Sequence, residues 1–390
     1  MLSMRRGERT ARWCIVVSCV VALWGCAEDV IYSAGAVCGD LQKTESEECD
    51  VTSVGCAECR VVPGFACSDE SCAPVCGDNQ VVAGEECDPP NGLTCDSDCR
   101  SGEKAEACDA TGYWIARQTD FSIDTVLSQV QTSTNWYIFQ LSQTGSEFQV
   151  ETSIFCGLRV TGSATVALTE AGERGLLWLN PHGRDVPPPR SARKGTFAAE
   201  GDGCRFAMDR HYIVRGGDPA LLPSDFVSKP ELSTLPPLPT VEDKQNPPAM
   251  PFPGAADEDQ DGVPGVLFRI SGNASGSRSV VQRDWNEYFT EPGTPVAANA
   301  IEFRAQARFD NQENILAVSG CPVLGCGILL AGSRPAPSLP GRVVFRYLGK
   351  SLDEPRVSRI IAGPLKTDEA TDLRTCANAR ASLPHDPSKQ

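Results

Sequence analysis

Residues 300–309, "AIEFRAQARF", set Ile301, Phe303, Ala305, Ala307 and Phe309 on one side of an extended chain and Glu302, Arg304, Gln306 and Arg308 on the other. Alternation this regular belongs to a strand with one buried and one wet face. The same period recurs on both sides of it. "WYIFQLS" (136–142) and "EFQVETSIF" (147–155), joined through "QTG", read as a hairpin. "LRVTGSATVAL", "RHYIVR", "GVLFRIS" and "RVVFRYL" supply further strands. Helical patterns are few: one near Ser122–Val130 and one near Asp368–Ala381. From Asp109 to Gln390 the chain therefore reads as an antiparallel β-barrel or sandwich, a mainly β fold. Residues 109–217 form its first half and 262–390 its second. Between them, 218–261 are proline-rich and then acidic, unsuited to central strands and fit for an extended crossing or a linker. One barrel with a long excursion and two small domains are both compatible with this pattern.

The N-terminus sets the chemical setting. Arg5, Arg6, Arg9 and Arg12 precede the apolar run "WCIVVSCVVALW", too short to span a bilayer, so residues 1–25 read as an export signal. It ends in "LWGC", which resembles the bacterial lipobox, with Leu23, Gly25 and Cys26 in their places. That resemblance implies cleavage before Cys26, acyl chains on its sulfur and new amine, and anchoring by more than one chain. Ala27 in the next position implies sorting to the outer membrane, with 26–37 as the lipidated tether. The net charge of -16 argues against nucleic acid as a partner.

Eleven of the 19 cysteines lie between residues 38 and 108. Cys38, Cys49, Cys56, Cys59, Cys67 and Cys72 belong to a first unit (38–75); Cys76, Cys87, Cys95, Cys99 and Cys108 follow in register in a second (76–108). Neither unit has enough apolar residues for a core, so cross-links must hold them. A redox pair at "CAEC" or a zinc site would need thiols kept free outside the cytoplasm, and structural disulfides fit an exported chain better. "VCGDNQVVAGEECDPPNGLTCDSDCR" together with "PGFACSDESCAPVCGD" resembles the myxobacterial cysteine-rich repeat of secreted and surface proteins of delta-proteobacteria. The resemblance implies an extracytoplasmic spacer or interaction module without catalytic activity. Asp40, Glu47, Glu48 and Asp50 recur as Asp78, Glu85, Glu86 and Asp88, either as hard calcium ligands or as solubilising charge. Farther on, spacing suggests Cys156 with Cys204 and Cys321 with Cys326, leaving Cys376 for Cys108.

"DEDQDG" (257–262) is the clearest ligand candidate. Asp257, Asp259 and Asp261 before Gly262 match the first, third and fifth ligands of a calcium loop, although Phe268 stands where a bidentate glutamate would complete an EF-hand. A solvated acidic linker is the other reading. Gly112 and Trp114 in "TGYWIARQTDF" resemble the opening strand of lipocalin-like barrels, which implies room for a small apolar ligand. Catalytic patterns are scarce: His182, His211 and His385 stand apart, and no phosphate loop or dinucleotide fingerprint appears. His211 reads as structural, and "RDWNEYF" (283–289) as core. The expectation is a non-enzymatic outer-membrane lipoprotein whose disulfide-braced stalk presents a β domain for binding a protein or small ligand. The alternative is an extracytoplasmic hydrolase with a carboxylate-based site in the β region.

Overall fold

The computed structural model describes residues 47–50, 54–68, 71–101, 107–124, 128–162, 164–168, 193–218, 221, 231–272, 275–320, 333–335, 340–361 and 369–384. The export signal, Cys26, Cys38, Cys321, Cys326, His182 and His385 lie outside them. The chain divides into two compact units, 1–62 with 67–72, and 63–66 with 73–390.

In the cysteine-rich part, β1 (Cys56–Ala57) pairs with β2 (Arg60–Val61), and β3 (Phe65–Cys67) with β4 (Cys72–Pro74). Disulfides Cys49–Cys56 and Cys67–Cys72 brace the first unit; Cys76–Cys99 and Cys87–Cys95 brace the second repeat. The two repeats share a local design. Glu48 N and Cys49 N donate to Cys59 O in the first, as Glu86 N and Cys87 N do to Cys99 O in the second. Both Cys59 and Cys99 adopt the left-handed conformation, with φ of 59° and 54°.

The β region is one sheet closed on itself. Its long strands are β5 (Gly112–Asp124), β6 (Val130–Thr144), β7 (Glu147–Thr161), β12 (Gly276–Phe289), β14 (Glu302–Ser319) and β16 (Gly341–Gly349). All neighbours are antiparallel, in the order β7-β6-β5-β16-β14-β12. Two further pairs of strands fill the remaining gap between β7 and β12. At one end β9 (Lys194–Glu200) and β10 (Gly203–Arg215) complete the ring; at the other β8 (Ala164–Leu168) and β11 (Val266–Gly272) do. The result is an eight-membered barrel at either end, so both halves of the β region belong to one sheet. β13 (Val296–Ala297) extends β10, and β15 (Ser333–Pro335) joins β5.

β14 realises the alternation of "AIEFRAQARF": Ile301, Phe303, Ala305 and Ala307 are buried in the barrel's apolar core. Trp114 plugs the same interior, donating its indole N–H to Ala110 O at 2.8 Å and packing against Phe303 and Tyr347. Only glycine fits at 112, where φ is +126° and a Cβ would lie 2.5 Å from Gly349 O. The outer face is covered at Ile115, Trp136, Ile138 and Ile154 by α1 (Pro355–Ile360) and α2 (Glu369–Ser382), which bury Val357, Ile360 and Ala379 against it. The expected C-terminal helix therefore forms. The one near Ser122–Val130 does not: β5 runs to Asp124 and β6 begins at Val130, the barrel's long pairing overriding a weak local pattern. Among the described residues, no helix is long and apolar enough to cross a membrane.

Two expected disulfides are exchanged. Cys108 pairs with Cys204 and Cys156 with Cys376, not Cys156 with Cys204 or Cys108 with Cys376. The reason is geometric. Cys204 belongs to the interior core and Cys156 to the outer, helix-covered cluster, and β9 runs between their strands. Cys156–Cys376 therefore pins α2 to the barrel wall, while Cys108–Cys204 fastens the chain entering β5.

The described part of the proline-rich stretch is an extended crossing packed on the barrel. Leu221, Leu238 and Val241 bury against Val214, Val281 and Leu316, and Leu232 against Tyr212 and Trp285. Arg283, 1% exposed, reaches out from β12 and donates to the carbonyls of Leu221 (2.9 Å), Pro236 (3.0 Å) and Leu232 (3.2 Å). Prolines lack a donor but keep their carbonyl acceptors, so one guanidinium can hold such a segment.

The second repeat belongs to the barrel's unit. Asp96, 1% exposed, accepts from Arg356 at 2.8 Å and lies 3.6 Å from Arg346 of β16. Arg346 also meets Asp98, and Glu302 at 2.9 Å. Two guanidiniums and three carboxylates thus lock the loop between Cys95 and Cys99 onto the barrel wall.

Candidate functional site

Inside the barrel, strand parity decides which side chains meet. In β5, Trp114 and Ala116 face inward, so Gln118 and Asp120 follow them. In β6, Asn135 shares the face of Tyr137 and Phe139. In β12, Gln282, Asp284 and Asn286 lie between inward Val280 and Tyr288. A register shift between Met208 and His211 changes the parity of β10, bringing His211 and Arg215 onto the inward face. A polar layer results, flanked on one side by Phe139, Phe206 and Phe345 and on the other by Val280, Phe268 and Ile315.

Hydrogen bonds organise part of this layer. Gln118 Nε2 donates to Asp120 Oδ2 and to Asn286 Oδ1, each at 2.6 Å. Tyr288 donates its hydroxyl to Gln118 Oε1 at 2.6 Å, and Asn135 Nδ2 reaches Asp120 Oδ2 at 3.3 Å. Arg215 Nη1 donates to Asp284 Oδ2 at 2.8 Å. Gly341 makes room: a Cβ there would come within 2.5 Å of Asp120 Oδ1.

The rest of the layer is unpaired. Asp120 Oδ1, Asp284 Oδ1, Gln282 Oε1, Arg215 Nε and Nη2, and Arg193 Nη1 are buried without hydrogen-bond partners, and His211, packed against the Tyr288 ring, has no side-chain hydrogen-bond partner. Native interiors satisfy most such groups, and each exception asks for a reason. Arg193 enters just before β9 and lies over Phe139, 5.6 Å from its centroid. Burial drives the protonation states. It raises Asp120 well above the carboxylate range, helped by the charge of Asp284, and it raises Asp284 despite Arg215. It lowers His211 well below its ordinary value, with the charges of Arg193 and Arg215 adding to the effect. Arg193 falls to about 10 and stays cationic at neutral pH.

The acidic loop predicted from sequence is a second, separate candidate. Asp257, Asp259 and Asp261 each bring a carboxylate oxygen within 4.8 Å of the others. Asp257 accepts from the amides of Asp261 and Gly262, and Asp259 from that of Leu267. Burial, then the charges of Asp261 and Asp257, lift Asp259 to about 6. In the second repeat, Glu85 and Asp88 approach Cys99, but that sulfur is in a disulfide and Asp88 accepts from the amides of Gly77 and Gln80. Glu48 and Glu86 likewise accept from backbone amides, of Val61 and Ser101. These recurring acids serve as turn braces.

An open cleft of about 490 Å³ lies at one barrel end, lined by Asp109, Thr111, Gln143, Phe197 and Lys350. Its principal charges, Lys350 and Asp109, pair with each other at 3.2 Å. The interior layer was not among the residues expected from sequence; its signal was the polar alternation of Gln118 with Asp120 and of Gln282, Asp284 and Asn286. Compared with known proteins, the chain matches no family model, no curated protein and no solved structure.

Proposed function

We propose that this chain is an outer-membrane lipoprotein, anchored through Cys26, whose barrel binds a small polar ligand in its interior layer. The observation that carries the reading is the set of buried, unpaired donors and acceptors on Asp120, Asp284, Arg193 and Arg215. Each such group costs about 1–3 kcal/mol when left unsatisfied. A ligand offering complementary groups would recover that energy, whereas the apolar part of the barrel is filled by its own aromatic rings. The cysteine-rich repeats, read as the myxobacterial type, serve as spacer and brace rather than as catalysts. Anchoring is tested by palmitate labelling, which Cys26→Ala should abolish. Binding is tested by native mass spectrometry of the protein released without denaturation: a small non-covalent adduct is expected, lost in Asp120→Asn, and an adduct-free wild type would refute the reading.

A hydrolase is the second reading, favoured by one fact: Asp120 and Asp284 are buried in one layer, and the charge of Asp284 raises Asp120. Burial raises both carboxyls, and only Asp284 has a guanidinium, that of Arg215, to oppose the rise; unequal surroundings of this kind suit an acid and a base. Turnover of chromogenic glycosides by the wild type, abolished by Asp284→Asn, would establish it; absence of turnover leaves binding alone.

Calcium is proposed at Asp257, Asp259 and Asp261, whose hard oxygen donors suit it. Calorimetric titration with calcium should give a saturable signal that Asp259→Ala removes. A signal unchanged by that substitution would place the ion elsewhere.

A further inference from the structure

The unpaired groups of the polar layer differ in sign, and their balance identifies what would satisfy them. Arg215 spends one N–H on Asp284 and keeps Nε and Nη2 buried and unpaired. Arg193 has no carboxylate within ion-pair reach among the described residues, and its Nη1 is buried without a partner. An aromatic ladder joins the two guanidiniums. Arg215 lies 4.5 Å from the centroid of Phe155, Phe155 packs on Tyr137 at 5.1 Å, Tyr137 stacks on Phe139 at 5.7 Å, and Arg193 lies over Phe139. Both cations also act on His211 and Tyr137, which places them around the same part of the interior.

We infer that the layer is an oxyanion site: a small carboxylate or phosphate accepts hydrogen bonds from Arg193 Nη1 and from Arg215 Nε and Nη2, with the Asp120 carboxyl beside it. This deepens, and rests on, the interior-binding reading above. The charge balance agrees. Arg215 has the charges of Asp284 and Glu258 near it, whereas Arg193 meets no carboxylate among the described residues, and burial raises Asp120 and Asp284 and lowers His211, which weakens the negative charge available to the two guanidiniums. A buried guanidinium without a counter-charge is unfavourable, and an anion supplies one. Planar guanidinium forks also match carboxylate and phosphate oxygens. The unpaired Asp284 Oδ1 stands ready for a hydroxyl or amine on the same ligand.

The test is melting and calorimetry of the full mature chain with sodium phosphate, sodium succinate, sodium chloride at matched ionic strength, and glycerol. Phosphate or succinate should bind saturably and raise the melting temperature, while chloride and glycerol should not. Arg193→Met should weaken that binding at least tenfold, yet melt no lower than the wild type without added anion. Should Arg193→Met fail to fold, Arg215→Lys, which keeps a cation for Asp284 but withdraws the unpaired fork, should show the same loss. Oxyanion binding unaltered by either variant would overturn the assignment. Glycerol binding that Asp120→Asn abolishes, without an oxyanion effect, would overturn the anion while sparing interior binding. No response to any probe, with Arg193→Met behaving like wild type, would remove both.

Discussion

Asp120 shows how one buried side chain shapes the behaviour of the whole. Its folded form holds a proton that the unfolded chain releases above about pH 4. The stability it contributes is therefore full below that value and lost as pH rises toward its raised folded pKa. Asp120→Asn keeps an acceptor for Gln118 and Asn135 but has no proton to lose. Denaturant unfolding should show the variant gaining on the wild type as pH rises above about 4, by up to about 1.4 kcal/mol per pH unit until the raised folded pKa is passed. Parallel curves would contradict a buried, protonated Asp120. His211, facing Arg193 and Arg215, works in the opposite sense: its lowered folded pKa removes stability as pH falls below about 6.5. Comparing variant with wild type cancels that common contribution. At this scale the sequence was half legible. Period-two spacing puts Gln118 and Asp120 on the face of Trp114, a pattern passed over in the sequence because polar residues on an inward face look like a wet face until the barrel closes. His211 reads as structural from sequence, but its inward position was not legible there, because the register shift that turns it inward depends on pairing with β12.

Elements were easier to read than their connections. Period-two runs are local, so "AIEFRAQARF", "WYIFQLS" and "EFQVETSIF" announced β14, β6 and β7. Disulfide partners depend on which face each strand presents, and β7 carries irregular register against β6, so Cys156 turns outward to α2 rather than toward Cys204. Within the repeats, the shared amide contacts and left-handed cysteines carry the pairing from one unit to the other. Cys49–Cys56 matches Cys87–Cys95, so Cys59 is predicted to join Cys38, as Cys99 joins Cys76. Peptide mapping without reduction should recover that cross-linked pair; Cys59 linked to any other cysteine would break the register. The second repeat's hold on the barrel is also testable. Asp96→Ala strips a buried partner from Arg356 and Arg346 and should cost about 3–5 kcal/mol in chemical unfolding. Arg359→Ala, which loses only an exposed contact with Glu86, should cost less than about 1 kcal/mol. Equal losses would mean the lock is not where the energy lies.

Across the whole molecule, the barrel is closed twice over by different strand pairs between β7 and β12, and its outside is wrapped by the crossing segment and two helices. That construction isolates a polar layer between apolar ones, where unpaired groups would be tolerated only for a purpose or with a partner. The second repeat, locked by Arg346 and Arg356, is part of the same compact unit as the barrel. The measurement that bears most directly on this reading is a crystal structure of the mature protein at a resolution that distinguishes water from larger groups. The expected result is non-protein density of an oxyanion within hydrogen-bond distance of Arg193 Nη1 and Arg215 Nη2. A layer that holds only water, or whose side chains pair with one another, would contradict it.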